Sequence, residues 1–456
     1  EKFKTLLNDQ DADAQITQKL SDQFAGVTIL RAFINEATSP YANFHNKILS
    51  LAELAKCYQF CGMYNEATTT KEEAKLIFNT DVLKENDSTK MKIKFLVLDA
   101  NKLSAALHGT SDALECLYNL INMERSFYES SNMTQEEHDK HPALVDTMLM
   151  ISAVLTFNSS FDKAEYFVDR SLEVRQRYYS DDSPYLASVF LQKANLFRAQ
   201  AKFADSYAYA EKALQIRTAK YGSNHSLTVE CMQLVGRLKL LQGYPKEAME
   251  LFQSTLATRK TCFESIYANH PLIIESTYYL GVCQSYLSMY DEAFTSFEYS
   301  LKMCDELKHE CEVETFFLLE FSRMRIGEIH FTKHNFNESK TIVSLSGKAL
   351  SEMTAGQHVA VADGLIVFGR IRRAEGKYTD VETVFERALL MKTNILGENH
   401  PDIAEIHLEL AETARMYGNF QQAEKHASVC LGICSKHFPT ESPIVGNAVF
   451  HHAQIL

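Results

Sequence analysis

Eight stretches of this chain fit one thirteen-residue frame: a small residue, eleven positions, then a second small residue, with an aromatic shortly before the close. Ala55–Ala67 reads AKCYQFCGMYNEA, Ala194–Ser206 reads ANLFRAQAKFADS, and Gly281–Ala293 reads GVCQSYLSMYDEA. The frame closes at 67, 164, 206, 248, 293, 339, 381 and 423, and a weaker ninth copy lies between Asn101 and Ala113. With 113 included, successive closes stand 46, 51, 42, 42, 45, 46, 42 and 42 residues apart. A period that keeps returning to 42 limits the fold to stacked copies of one unit. Apolar residues at i, i+4 inside the unit, such as Phe297/Leu301 and Phe385/Leu389, make it a pair of helices. Backbones can cross closely only over small side chains, which accounts for the two ends of the frame. The aromatic between them (Tyr64, Phe203, Tyr290, Tyr378 or Phe420) is expected to plug the turn. A lone helix pair cannot bury its apolar face, so each pair leans on the next and contacts only its neighbours.

Composition agrees with helices and removes several function classes. Gly 17 and Pro 8 in 456 residues are too few for an all-β chain with its many turns. A formal net charge of −13 argues against general binding to nucleic acid or anionic membranes, which want a basic face. No run of about 18 apolar residues and no secretory signal is present, so the expected setting is cytoplasmic with no membrane span. Ten cysteines without a CxxC pair do not make a disulfide framework. Cys57/Cys61 and Cys430/Cys434, at i, i+4, read as small buried residues of a reducing compartment. No Gly-rich phosphate loop, HExxH or GxSxG occurs, so neither enzyme activity nor cofactor nor metal is expected.

Residues 1–40 read as a helical cap or degenerate repeat, and 41–456 as the array. The chain starts at Glu1 without Met and stops at Leu456 inside a helical pattern, so the array is expected to continue past its end. One phrase recurs along the array: His141-Pro142, Asn224-His225, Asn269-His270-Pro271 and Asn399-His400-Pro401. Proline there, as at Pro184 and Pro443, suits the first turn of a helix, where its missing N–H would be unpaired anyway. Asn or Asp just ahead is expected to cap that helix. Gly222 and Gly397 suit the left-handed stop of the preceding helix. One histidine per repeat cannot converge on a metal, so His141, His225, His270 and His400 read as loop residues.

The small-x11-small frame with its turn aromatic resembles the tetratricopeptide repeat. The 42-residue spacing, with bridging stretches such as ERALLMKTNILGENHPDIA, resembles the kinesin light chain type. That resemblance implies an all-α, right-handed superhelical solenoid of about nine helix pairs. First helices would line an open concave trough, with groove positions at −3, +1 and +4 from the first small residue. On this chain those positions include Arg198, Arg237, Tyr278, Met324, Phe331, Arg370, Arg373 and Arg415. The arginines put positive charge into the groove of an acidic protein, and Tyr278, Met324 and Phe331 give it an apolar middle. Two readings stay open. The arginines grip carboxylates of an acidic-aromatic partner segment, or they pair with glutamates of neighbouring repeats.

The asparagine pair that precedes the small residue in kinesin light chains is missing: the triplets read AEL (52–54), LQK (191–193), YYL (278–280), IVF (366–368) and LEL (408–410). The resemblance implies a non-enzymatic protein-binding scaffold in a cytoskeletal, ciliary or transport complex. The alternative is a peptide- or ligand-sensing module that controls an attached domain. Oligomeric state stays open.

Overall fold

The structure, a computed structural model, describes residues 44–60, 64–80, 89, 92–99, 110–128, 141–263, 270–307, 314–354, 356, 358–376 and 378–455. The expected cap at 1–40, the ninth frame's Asn101 and Cys61 lie outside the described residues, as do the side chains of Cys57, Tyr64 and Tyr378. Among the described residues there is no strand. The helices are α1 (Phe44–Phe60), α2 (Tyr64–Thr80), α3 (Thr110–Tyr128), α4 (Val145–Phe157), α5 (Phe161–Tyr178) and α6 (Pro184–Ala199). They continue with α7 (Phe203–Tyr221), α8 (Ser226–Leu241), α9 (Pro245–Phe263), α10 (Pro271–Tyr286), α11 (Tyr290–Leu307) and α12 (Glu314–Thr332). The last are α13 (Phe336–Met353), α14 (Val359–Ala374), α15 (Tyr378–Leu396), α16 (Pro401–Met416), α17 (Phe420–His437) and α18 (Pro443–Ile455). From α4 onward each first helix packs on the second helix that follows it, and each second helix on the first helix of the next pair.

The frame is visible in the packing. Ala67, Ala113, Ala164, Ser206, Ala248, Ala293, Ser339, Val381 and Ala423, the closing residues, are all buried. At the opening positions, a methyl on Gly236, Gly281 or Gly369 would stand 2.9, 2.9 and 2.5 Å from the rings of Phe252, Phe297 and Phe385. The glycines thus make room for an aromatic on the second helix. Where the frame holds serine, the hydroxyl ties the crossing: Ser152 Oγ donates to Ala164 O (2.9 Å), Ser206 Oγ to Ala194 O (2.7 Å) and Ser339 Oγ to Gly327 O (2.7 Å).

Five residues before the seven closes from 164 to 423 the backbone turns left-handed, at Ser159, Ala201, Gly243, Ser288, His334, Gly376 and Gly418. That residue stops the first helix and starts the turn. The turn aromatics divide: Phe203 is buried as expected, whereas Phe420 is 60% exposed and plugs nothing.

A second register binds repeat to repeat. Arg175, Arg217 and Arg259 stand 42 apart on second helices, and all are buried. Arg217 donates to Leu227 O (2.6 Å) and Glu230 (2.7 Å) on the next first helix. Arg259 repeats this with Leu272 O (2.7 Å), Glu275 (3.1 Å) and Ser276 Oγ (2.7 Å). A buried guanidinium whose donors meet a carbonyl and a carboxylate is satisfied, and it fixes the rotation between pairs.

The expectation that pairs touch only their neighbours and leave an open trough is corrected here. The C-terminal pairs return to the middle of the chain. Phe203 stacks on Phe438 with ring centroids 5.5 Å apart. His437 places Nε2 2.7 Å from Asn399 O and Nδ1 3.4 Å from Ala201 O. Ser442 Oγ donates to Gln242 O at 3.3 Å, across 200 residues of sequence. One apolar core runs through Leu191, Leu234, Val235, Ile403, Cys434, Phe438 and Val445. The superhelix has wound far enough for α17 and α18 to close onto α6, α7 and α8.

Candidate functional site

First helices line the inner face of this closed superhelix. Four of them begin at a histidine that does more than occupy a loop. Nδ1 of His225, His270, His358 and His400 accepts the N–H of Leu227, Leu272, Ala360 and Asp402, at 3.2, 3.1, 3.1 and 3.2 Å. The expected Asn or Asp cap is replaced here by imidazole. The ring nitrogen reaches the second N–H of the helix as a serine or asparagine oxygen would. This role requires neutral Nδ1. Burial holds His358 below its ordinary pKa, and burial likewise depresses His400 against the opposing pull of Asp402. His358 has no His-Pro phrase, and its capping role went unread in the sequence.

Two of these histidines stand at the edge of an interior cavity of about 420 Å³. Its walls come from both ends of the closed turn. Phe157, Asn195, Arg198 and Phe203 face His358, His400 and Asp402. Phe157 joins the two sides, stacked on His358 at 5.5 Å and edge-on to Phe317 at 6.5 Å. A second cavity, of about 220 Å³, lies further along α14 and α16 and is lined by Tyr278, Met324, Arg325, Glu328, Ile366, Asp363, Arg370 and Glu405.

The structure distributes the eight groove residues unequally. Tyr278, Met324 and Arg370 meet in the second cavity, and Arg198 lines the first. Burial raises the Tyr278 phenol to about 12, so it is a hydroxyl donor at any physiological pH. Phe331 lines neither cavity: it packs on Phe336 (5.6 Å) beside the cluster of Val343, Val367 and Ile371. Arg415, 3.6 Å from Glu412, sits toward the end of the array. Arg237 spreads over the Tyr279 ring at 5.0 Å and stands 3.8 Å from Glu275.

Arg370 and Arg373 are engaged by the chain's own acids. Arg370 Nε and Arg373 Nη2 bind the two oxygens of Glu409, at 2.6 and 2.7 Å. Arg370 also meets Glu405 at 2.7 Å, and Arg373 Nη1 reaches Glu409 O at 3.0 Å. Of the two readings left open by the sequence, pairing with the neighbouring repeat holds for these two. Lys392 is likewise buried against Asp363 at 2.6 Å, which holds it above the ordinary lysine range although burial opposes this. Charge in the second cavity is therefore matched internally. It can accept a ligand by shape and by its Tyr278–Met324 floor, and it has little net charge to offer.

Arg198 differs. Among the described residues it has no hydrogen bond and no ion pair, and its Nε is shut off from solvent with no acceptor. The charge of Arg237, and then burial, push it down to about 9, so it keeps its own charge at neutral pH. Among the described residues, no three His, Cys, Asp or Glu side chains are grouped to hold a metal ion. Cys430 and Cys434 are buried free thiols. No described helix is long and apolar enough to cross a membrane.

Comparison with known proteins agrees with the fold. A tetratricopeptide repeat family model matches residues 185–261 and 361–436. No curated protein matches the sequence. The solved structure of a Rap protein complexed with Competence and Sporulation Factor shares the fold at TM-score 0.59 and 12% identity, covering 86% of this chain and 99% of that one. NprR in complex with its cognate peptide NprX does so at TM-score 0.52 and 12% identity, covering 76% of this chain and 93% of that one. TPR-like repeats of a Podosopora anserina kinesin light chain align at TM-score 0.35 and 13% identity over 50% of this chain and 100% of that one, too low to argue from. The chain is an all-α superhelical solenoid whose residues 185–261 and 361–436 match the tetratricopeptide repeat.

Proposed function

We propose that this protein is a non-enzymatic binding module whose ligand is a short peptide segment held inside the closed superhelix. One observation carries the reading: cavities of about 420 and 220 Å³ open on the inner face, the larger of them between α4 and α6 on one side and the starts of α14 and α16 on the other. An interior of this width admits an extended chain of a few residues better than a folded partner. The larger cavity sets Phe157, Phe161 and Phe203 beside Gln192, Asn195 and Asp402, so an extended chain would find both apolar and hydrogen-bonding contacts there. NprR, which has this fold, was solved with a peptide, and that supports the choice of ligand class. A peptide-sensing role thus has more support than an open-groove scaffold. The cytoskeletal, ciliary or transport setting draws no support from the fold comparisons and is left aside.

The test uses a synthetic pool of random pentapeptides, with retained species separated by size exclusion and read by mass spectrometry. Retention should protect α6, α14 and the start of α16 from hydrogen exchange. Asn195→Trp, which fills the larger cavity, should abolish both effects. Retention unchanged by Asn195→Trp, or protection confined to the outer helices, would overturn the proposal.

A further inference from the structure

The turns that join first helices to second helices share one edge of the solenoid, and at three pairs the chain covers that edge with its own loops. Phe157, at the α4–α5 turn, stacks on His358 at 5.5 Å. Phe203, at the α6–α7 turn, stacks on Phe438 at 5.5 Å and is 5% exposed. At the α8–α9 turn, Gln242 O accepts from Ser442 Oγ at 3.3 Å, and a methyl on Gly243 would stand 3.2 Å from Ile444. The covering residues are all of one kind, lying at or near the start of a first helix that follows a loop. Met416 and Phe420 hold at the α16–α17 turn the places of Phe157 and Phe203, seven and three residues before the close. They are 48% and 60% exposed. Large apolar side chains gathered on a surface mark a contact site.

The loop that covers the α6–α7 and α8–α9 turns is HFPTESP, residues 437–443. Residues 178–184, YYSDDSP, form its counterpart: each stretch has seven residues, begins fourteen past a close, opens on two ring side chains and ends in Ser-Pro at a first helix. In the covering loop Phe438 is buried and Ser442 Oγ has its carbonyl. In the counterpart Tyr178 is 54% exposed, and among the described residues Ser183 Oγ donates to nothing. Tyr178 and Phe420 both remain exposed, so this loop and the α16–α17 turn do not cover one another within a chain. We propose that the 178–184 loop of one copy docks on the α16–α17 turn of a second copy, repeating between molecules the seam that closes the superhelix within one. The interface is heterologous: loop meets turn, and the second copy's own loop stays open to a third, so association grows head to tail. One loop on one turn is a small contact, so the association is weak and concentration-dependent. It does not depend on a ligand in the interior.

Sedimentation velocity on the full chain, from about 1 μM to about 1 mM, covers the range of a weak association. The weight-average mass of wild type should climb above the monomer as concentration rises. Tyr178→Asp and Phe420→Asp each put a charge at an exposed position, so each should keep the helical circular dichroism spectrum and stay monomeric. An equimolar mixture of the two should give a dimer and nothing larger, because the first variant keeps its turn and the second keeps its loop. Ser183→Ala should weaken association roughly fivefold, the usual worth of one neutral hydrogen bond. Tyr178→Ser and Phe420→Ser take the place of an aspartate variant that does not fold. A wild type that is monomeric throughout, a single variant that associates as wild type does, or a mixture that stays monomeric would overturn the proposal.

Discussion

Gly369→Ala is the sharpest test of the helix crossing. Built on the backbone, the new methyl would lie 2.5 Å from Phe385 Cε1 and 2.8 Å from Cζ. Carbon atoms prefer about 3.5–4.0 Å, so the ring or the helix must retreat by about an ångström. Phe385 is fully buried, with no room to swing outward. Overpacking of this kind costs about 1–3 kcal/mol. Alanine returns about 0.5–1 kcal/mol through helix propensity, so a net loss of up to about 2 kcal/mol is expected. Gly432 on α17 is the control, because a methyl there meets nothing within 4 Å. Gly432→Ala should show the propensity gain alone. Urea denaturation followed by circular dichroism reads both, and Phe385→Leu in the Gly369→Ala background should recover most of the deficit. If Gly369→Ala were as stable as Gly432→Ala, the claim that the frame's small residues exist to admit the facing side chain would be refuted.

Three further outcomes follow from the same packing. Glu409→Ala leaves Arg370 and Arg373 without their shared acid, and thermal denaturation should show a loss of about 3 kcal/mol, as for other broken, largely buried ion pairs. Burial raises Glu124 to about 7, outweighing its hydrogen bond to Thr147, so the folded state holds a proton that the unfolded chain releases. Stability is then lost as pH rises from the ordinary carboxylate range to about 7, by about 3 kcal/mol in all, and Glu124→Gln should exceed wild type at pH 8 yet match it near pH 4. His358 is depressed by burial and caps α14 only when neutral; its contribution is full above about pH 6.5 and falls away as pH drops through the lowered value. His358→Asn, which caps without titrating, should therefore shrink the difference in melting temperature between pH 7 and pH 5.

The unit was legible in the sequence because its causes are local. Small residues at the crossing, prolines in the first helical turn and apolar residues at i, i+4 each act within one repeat, and the 42-residue recurrence multiplies the signal. The histidine caps were half legible. Their place at a helix start could be read, but propensity assigned the cap to Asn or Asp, and only the Nδ1 distances show imidazole in that role. The fates of Arg370 and Arg198 depend on what the next repeat presents. Thirty-nine residues on, Arg370 has Glu409 and Arg198 has Arg237, a contrast that the sequence contains but that acquires meaning only once the pair-to-pair rotation is known. Closure was not legible at all. Phe203 has a sufficient local reason as a turn aromatic, and Phe438 lies just past a helix end. Nothing in one dimension couples them, because their meeting depends on rotation accumulated over several pairs.

Closure is also the claim on which the enclosed interior depends, and a cross-link measures it directly. An ideal Cβ on Gly243 lies 3.5 Å from Pro443 Cβ, at the near edge of the disulfide range of about 3.5–4.5 Å. In a Gly243→Cys, Pro443→Cys variant, mild oxidation followed by proteolysis and mass spectrometry should recover a disulfide-linked pair of fragments, formed within the monomer at high dilution. An open superhelix would hold these positions far apart, and failure to recover the 243–443 linkage from folded monomer would contradict the closed solenoid and the binding interior built on it.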